Sequence, residues 1–136
     1  MAVTYLNPDN HMAPAGQYSH AAIVTGGRIA FIAGQVALDD DGELVGGEDA
    51  GPQFEQVLNN VIQLVDGIGG RPTDIAELRT FVVGTDSLPG FREGRERAYR
   101  KHFPDGRYPP NTLLVVSGLA QPELKVEVAA TVSLDE

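Results

Sequence analysis

One carboxylate and one carboxamide are the side chains in this sequence best placed to do chemistry. The carboxylate is Glu127. From Leu124 onward the chain alternates, with Leu124, Val126, Val128, Ala130 and Val132 toward one face and Lys125, Glu127, Ala129 and Thr131 toward the other. Glu127 therefore stands mid-strand among small neighbours, with room for a ligand beside it. A carboxylate in such a place can take a proton or orient a water. The carboxamide is Asn111, which follows the Pro109–Pro110 corner and precedes a strand at Thr112 to Val116 that is apolar on both faces. An amide offers two donors and an acceptor but no charge. Each residue has a plainer reading beside the chemical one. Glu127 can be a surface residue paired with Lys125 or Arg79, and Asn111 can simply cap the corner, since asparagine favours turns.

Other chemistries lack their residues. There is no cysteine, so neither a disulfide framework nor a thiolate site is available. His11, His20 and His102 show no ligand spacing, so no metal is expected. No glycine-rich phosphate loop or Ser-His-Asp constellation is present, and no cofactor is implied. Asp39-Asp40-Asp41-Gly42 reads as a hairpin turn, because it lacks the spaced oxygens and distal glutamate of a calcium loop. The formal charge of -9 opposes nucleic-acid binding, which depends on neutralising phosphates. Six of the ten basic residues fall between Arg92 and Arg107, which reads as a solvated helix face or as an anion-attracting rim near a pocket. No apolar run approaches the ~20 residues of a membrane span, and the first residues do not form a secretory signal. A cytoplasmic location is the expectation.

The elements that must hold these residues follow from pattern. The 136 residues fit one domain, spanning 1–136. Residues 1 to 20 read as extended or irregular, broken by Pro8, Pro14 and Gly16. Strands are expected at Tyr18 to Thr25 and Arg28 to Leu38. A helix is expected from Pro52 to Gly67, with Phe54, Val57, Leu58, Val61, Leu64, Val65 and Ile68 inward. A short capped turn at Thr73 leads to a strand from Ala76 to Val83. After a loop from Gly84 to Gly90, a second helix runs to Phe103, with Leu88, Phe91, Ala98, Tyr99 and Phe103 inward. The order implies an α+β fold, one mixed sheet with two helices on a single face. Two helices cover only one side, yet two strands are apolar on both. The uncovered face therefore calls for burial against identical copies.

Several segments resemble the reactive-intermediate deaminase family (Rid, also called YjgF). Its members close on a Pro-x-Arg-x corner, an apolar strand, a Leu-Pro loop and a strand like Val-Glu-Val. Tyr18-Ser19-His20-Ala21, Ile32-Ala33-Gly34-Gln35, Leu58-Asn59-Asn60-Val61, Phe81-Val82-Val83, Tyr99 to Phe103, Leu119 and Lys125 to Val128 follow in the family's order. The resemblance implies a chorismate-mutase-like fold and a homotrimer with clefts between subunits. It also implies hydrolysis of short-lived imines or enamines to ketones and ammonia, with no metal or cofactor.

Carried over residue by residue, the resemblance gives Glu127 and Tyr18 catalytic roles. It gives Gly34 and Gln35 substrate-binding ones. Three positions depart: Ala33 stands for the family's serine, Glu96 for a helix asparagine, and Asn111 for the corner arginine. Arg107, four residues earlier, is a candidate replacement cation. Losing a charge-assisted bond of about 1.5–3 kcal/mol disfavours carboxylate ligands. The expected activity is thus hydrolysis of an imine, enamine or related small molecule other than a simple 2-imino acid. The alternative is a non-catalytic ligand-binding or regulatory trimer. RNA cleavage, a label attached to some relatives, is disfavoured by the acidic charge and the lack of a catalytic histidine set.

Overall fold

A computed structural model describes residues 2–135 of the chain. Six strands and two helices are formed: Val3–Leu6 (β1), Ala21–Val24 (β2), Arg28–Gln35 (β3), Ala50–Gly67 (α1), Ile75–Val83 (β4), Leu88–His102 (α2), Asn111–Val116 (β5) and Val126–Leu134 (β6). The main sheet has the order β3-β6-β4-β5. β6 runs antiparallel to both β3 and β4, whereas β4 and β5 are parallel. Hence β3 and β4 point the same way and are joined through α1, while α2 joins β4 to β5. Both crossovers lay their helix on the same face.

That face holds the core. Val126, Val128, Ala130 and Val132 are fully buried beneath Val57, Leu58, Val61 and Val65 of α1. Asp49 caps α1 by accepting from the Gly51 N–H at 2.9 Å. The two helices cross where they carry glycine. A Cβ on Gly51 would stand 2.6 Å from the Gly90 carbonyl oxygen, and one on Gly94 would collide with the Gly51 backbone. Close approach then lets Phe54 meet Phe91 edge-on at 5.0 Å, and Tyr99 stacks on Tyr108 at 5.2 Å.

Several sequence expectations need correction. The N-terminal segment, expected to be extended or irregular, contains a formed strand, because β1 pairs with β2. These two strands form a separate ribbon and do not join the main sheet. The ribbon is pinned through Val3 and Ala76, and the Tyr5 hydroxyl donates to the Ile75 carbonyl at 2.7 Å. Alternation identifies a strand but not its partner, so the sequence pattern could not separate them. Leu64 of α1 and Ile68, the residue that caps its C-terminus, were expected inward, yet are 41% and 40% exposed. The apolar stripe of α1 is wider than the sheet beneath it. Leu64 instead lines a hollow with Gly34, Gln35 and Asn60 at the β3 edge. The second helix starts at Leu88, with Pro89 in its first turn, so the preceding loop is shorter than expected.

The opposite face of the sheet is uncovered. Ile29 is 57% exposed and Phe31 77% exposed, and Leu114 is exposed on the same face at the opposite edge of the sheet. The two-sided apolar strands thus leave bare apolar surface, as the pattern demanded. Among the described residues, no helix is long and apolar enough to cross a membrane.

Candidate functional site

Glu127 lies on the uncovered face, opposite Phe81 in the β4–β6 register. On its other side β3 carries an irregularity. Ile32 pairs with Ala130 but Gln35 pairs with Val128, so β3 holds one extra residue across Ala33 and Gly34. Such a bulge re-aims nearby side chains. Here it brings Gly34 directly against the glutamate. A Cβ on Gly34 would run into Glu127 Oε2 and stand 2.8 Å from Cδ. Only glycine leaves the carboxylate this seat. The Gln35 side chain folds back, its Nε2 donating to the Ala33 carbonyl at 3.0 Å.

The plainer reading of Glu127 as half of a surface ion pair is not realised within the protomer. Arg79 is engaged by Glu77 at 3.5 Å. Lys125 lines a different hollow, with Glu48, Asp49 and Asp86. Among the described residues Glu127 has no ion-pair partner.

Asn111 opens β5 and pairs in register with Leu78, which faces the helices. Its Oδ1 accepts from the hydroxyl of buried Thr80 at 2.8 Å. Nearby, Tyr18 and Arg107 line a cavity of about 210 Å³ together with Tyr5, Asn7, Ser19, Gly106 and Tyr108. The Tyr18 hydroxyl accepts weakly from the Ala15 N–H at 3.3 Å. Ser19 Oγ donates to the Tyr108 carbonyl at 2.6 Å, tying this loop to the chain that leads into the corner. Burial first, and the charge of Asp74 second, push the Tyr5 phenol well above its usual range, so it stays protonated and keeps its bond to Ile75.

The expected residues therefore fall into two groups in one protomer. Tyr18 and Arg107 line one cavity, and Asn111 follows in the chain across Pro109 and Pro110, held by Thr80. Ala33, Gly34, Gln35 and Glu127 gather at the bulge. From the register, Asn111 sits opposite position 78 of β4 and Glu127 opposite position 81, with β4 between them. Three residue steps at about 3.3 Å and two strand spacings of about 4.8 Å put their Cα atoms roughly 14 Å apart. Their side chains also leave opposite faces of the sheet. Within one protomer they cannot touch the same small molecule. Glu96 stands outside both groups, on the solvent face of α2, where it accepts from Arg100 at 2.9 Å.

Three supporting residues escaped the sequence reading. Asn60 Nδ2 donates to the carbonyls of Val36 at 3.0 Å and Leu38 at 2.8 Å, and Gln56 Nε2 holds the Asn60 oxygen at 2.8 Å. Together they fix the chain just beyond Gln35. Gln53 is fully buried and receives the Lys125 N–H at 2.8 Å, which anchors the approach to β6. Their signal was present, as amides within the apolar rhythm of α1, but an amide has no way of announcing its acceptor. The structure also brings His11 and His20 together edge-on at 4.8 Å, which their spacing did not show. Among the described residues no group of three or more histidine, aspartate or glutamate side chains is gathered to hold a metal. A larger hollow, about 550 Å³, runs over α1 between Asp39 and Arg71 and contains none of the expected residues.

A mixed four-stranded sheet with two helices on one face, and a bulge-seated glutamate on the other, defines an α+β fold. The family described as endoribonuclease L-PSP matches residues 8–134, and the chain belongs to this family, the Rid or YjgF proteins. It is 36% identical to YyfB of Yersinia pestis, a Rid-family protein of unknown function. That crystal structure aligns with a TM-score of 0.85 over 98% of this chain and 100% of its own. The 3-aminoacrylate deaminase RutC of Acinetobacter baylyi is 26% identical over 102 residues, spanning 75% of this chain and 76% of that protein. The YjgF gene product of E. coli shares the fold, with a TM-score of 0.69 at 23% identity over 96% of this chain and 98% of its own.

Proposed function

We propose that this protein hydrolyses an imine, enamine or related reactive small molecule, other than a simple 2-imino acid, in a cleft between two copies of a homotrimer. One observation carries the reading. Glu127 is seated without an ion-pair partner on the bare face, roughly 14 Å from the Asn111 corner by strand geometry. A site using both groups needs Glu127 from one copy and Asn111, with Tyr18, from its neighbour. The exposed Ile29, Phe31 and Leu114 supply the apolar surface for that meeting. The RutC relative, a 3-aminoacrylate deaminase, supports the reaction class.

The chemistry asks little of the protein. A carbon–nitrogen double bond is already electrophilic, so orientation and one proton transfer suffice. Glu127 accepts a proton from water as its oxygen bonds to the imine carbon, and the π electrons move to nitrogen. Glu127 returns that proton to the nitrogen. As the carbinolamine hydroxyl gives up its own proton to the nitrogen, the carbon–nitrogen bond breaks, releasing ammonia and leaving a carbonyl. An enamine enters the same route after protonation at carbon. Asn111 and Tyr18 orient the ligand, and Gln35 with the backbone at Gly34 lines the wall beside Glu127.

Ammonia release from a panel of neutral and acidic imines tests this. Glu127→Ala should lower the rate about a hundred-fold, within the 10²–10⁴ range of general acid–base catalysis. Equal rates for the two proteins sink the reading. Co-expressing Glu127→Ala with Tyr18→Ala should restore activity, because mixed trimers contain an intact cleft.

A second reading, a non-catalytic ligand-binding trimer, draws on the corner. Asn111 is already occupied by Thr80 and brings no charge. Ligand-dependent thermal stabilisation without ammonia release would favour it.

A further inference from the structure

We propose that Thr80 and Asn111 act as one specificity unit, which selects ligands carrying a neutral carbonyl, as in a carboxamide, over those carrying a carboxylate. The proposal rests on the site described above and names its ligand class.

Thr80 is 1% exposed, so its hydroxyl must find a partner inside the protein. Asn111 Oδ1, at 2.8 Å, is the acceptor it has among the described residues. Turning the amide around would set Nδ2 against the hydroxyl oxygen and strand the hydroxyl proton without an acceptor. The buried threonine therefore decides which end of the amide faces outward. Oδ1 is held inward. Nδ2, with two N–H donors and no acceptor among the described residues, is presented outward. Asn111 is also the first residue of β5, the last strand of the sheet, so the donors stand at an open edge.

What these donors accept is decided by charge. A carboxylate would surrender hydration to a neutral group, and that loss is large unless a cation offsets it. Arg79 lies on the other face, held by Glu77. Arg107 belongs to the cavity lined by Tyr18, on the far side of the two prolines. The chain as a whole carries -9. A neutral carbonyl oxygen gives up far less hydration for the same hydrogen bond. Thr80 is thus a positioning residue, acting on the ligand through Asn111.

Pyruvamide and pyruvate, matched in shape and differing in charge, are the probes, with binding followed by calorimetry on the full chain. The wild type should bind pyruvamide about ten-fold more tightly than pyruvate, a factor in line with one neutral hydrogen bond. Thr80→Val should lower pyruvamide affinity about three- to ten-fold by freeing the amide to rotate, and Thr80→Ser should restore it. Asn111→Asp, which keeps an acceptor for Thr80 but removes the donors and adds a negative charge, should weaken pyruvamide binding and exclude pyruvate. Asn111→Arg should reverse the preference. Equal binding of the two probes by the wild type overturns the proposal. So does an unchanged ratio in Thr80→Val, or an absence of binding by either probe. An intact amide preference in a protein that releases no ammonia would support this inference while sinking the hydrolase reading.

Discussion

The two faces of one strand behave as different materials. On β6, Val126, Val128, Ala130 and Val132 are sealed under α1, while Glu127, Ala129 and Thr131 on the alternate positions stay half-buried. The sealed face is apolar, close-packed and intolerant of change. The other face combines small residues, Glu127, the Glu77–Arg79 ion pair and the bare side chains of Ile29 and Phe31. A chain that needed only to fold would have no reason to leave large apolar groups bare there. The apolar side chains are explained by a second layer that the protomer does not supply, and the small residues by the space a ligand needs. The core is on one side of the sheet, and the proposed Glu127 chemistry is on the other.

The largest effect expected on this contrast comes from the sealed side. Phe54→Ala should cost about 3–5 kcal/mol of folding free energy, measured by urea denaturation, because its ring is enclosed by Phe91 and Tyr99. A loss below about 1 kcal/mol would mean the helix layer is far looser than its geometry. Phe31→Asp, on the bare side, should change protomer stability by less than about 0.5 kcal/mol. It should nonetheless dissociate the proposed trimer in sedimentation velocity. A wild type that sediments as a protomer would remove the second layer from the account.

A sharper probe of the bare face is Gly34→Ala. The added methyl group displaces the Glu127 carboxylate, and about an ångström of misplacement should reduce turnover ten- to a hundred-fold with little change in melting temperature. Unaltered turnover would detach the bulge from the chemistry.

The smallest effect is a pH dependence from the helix layer. His102 sits in the groove between α1 and α2, where burial first, and the Lys101 charge second, hold its imidazole below its ordinary value. The unfolded chain then binds the proton more readily than the folded one. This contribution to stability is complete above about pH 6.5 and declines as the pH falls toward the lowered folded-state value. Replacing His102 with glutamine should flatten that part of the melting-temperature profile, and an unchanged slope would assign it to the carboxylates.

Much of this was legible in the chain. The alternation after Leu124 assigned the faces of β6 correctly, although the strand begins two residues later, at Val126. The resemblance singled out Gly34 for the site, and the structure shows that the group packed against it is Glu127. Other features left no local trace. The β1–β2 ribbon, the Thr80–Asn111 bond and the amide ladder of Asn60 each join residues far apart in sequence. Glu96 looked like a site residue by position, yet on α2 it turns outward to Arg100.

By itself, the amino-acid sequence determined the helix stripe, the in-out rhythm of the strands, the acidic balance and the need to cover a second apolar face, because each is a local pattern with a fixed period. Only the tertiary structure decided that Asn111 and Glu127 lie on opposite faces with β4 between them. Period two settles which way a side chain points within its own strand. The order of strands, their direction and their register come from pairing across the chain, and no short stretch of sequence encodes that.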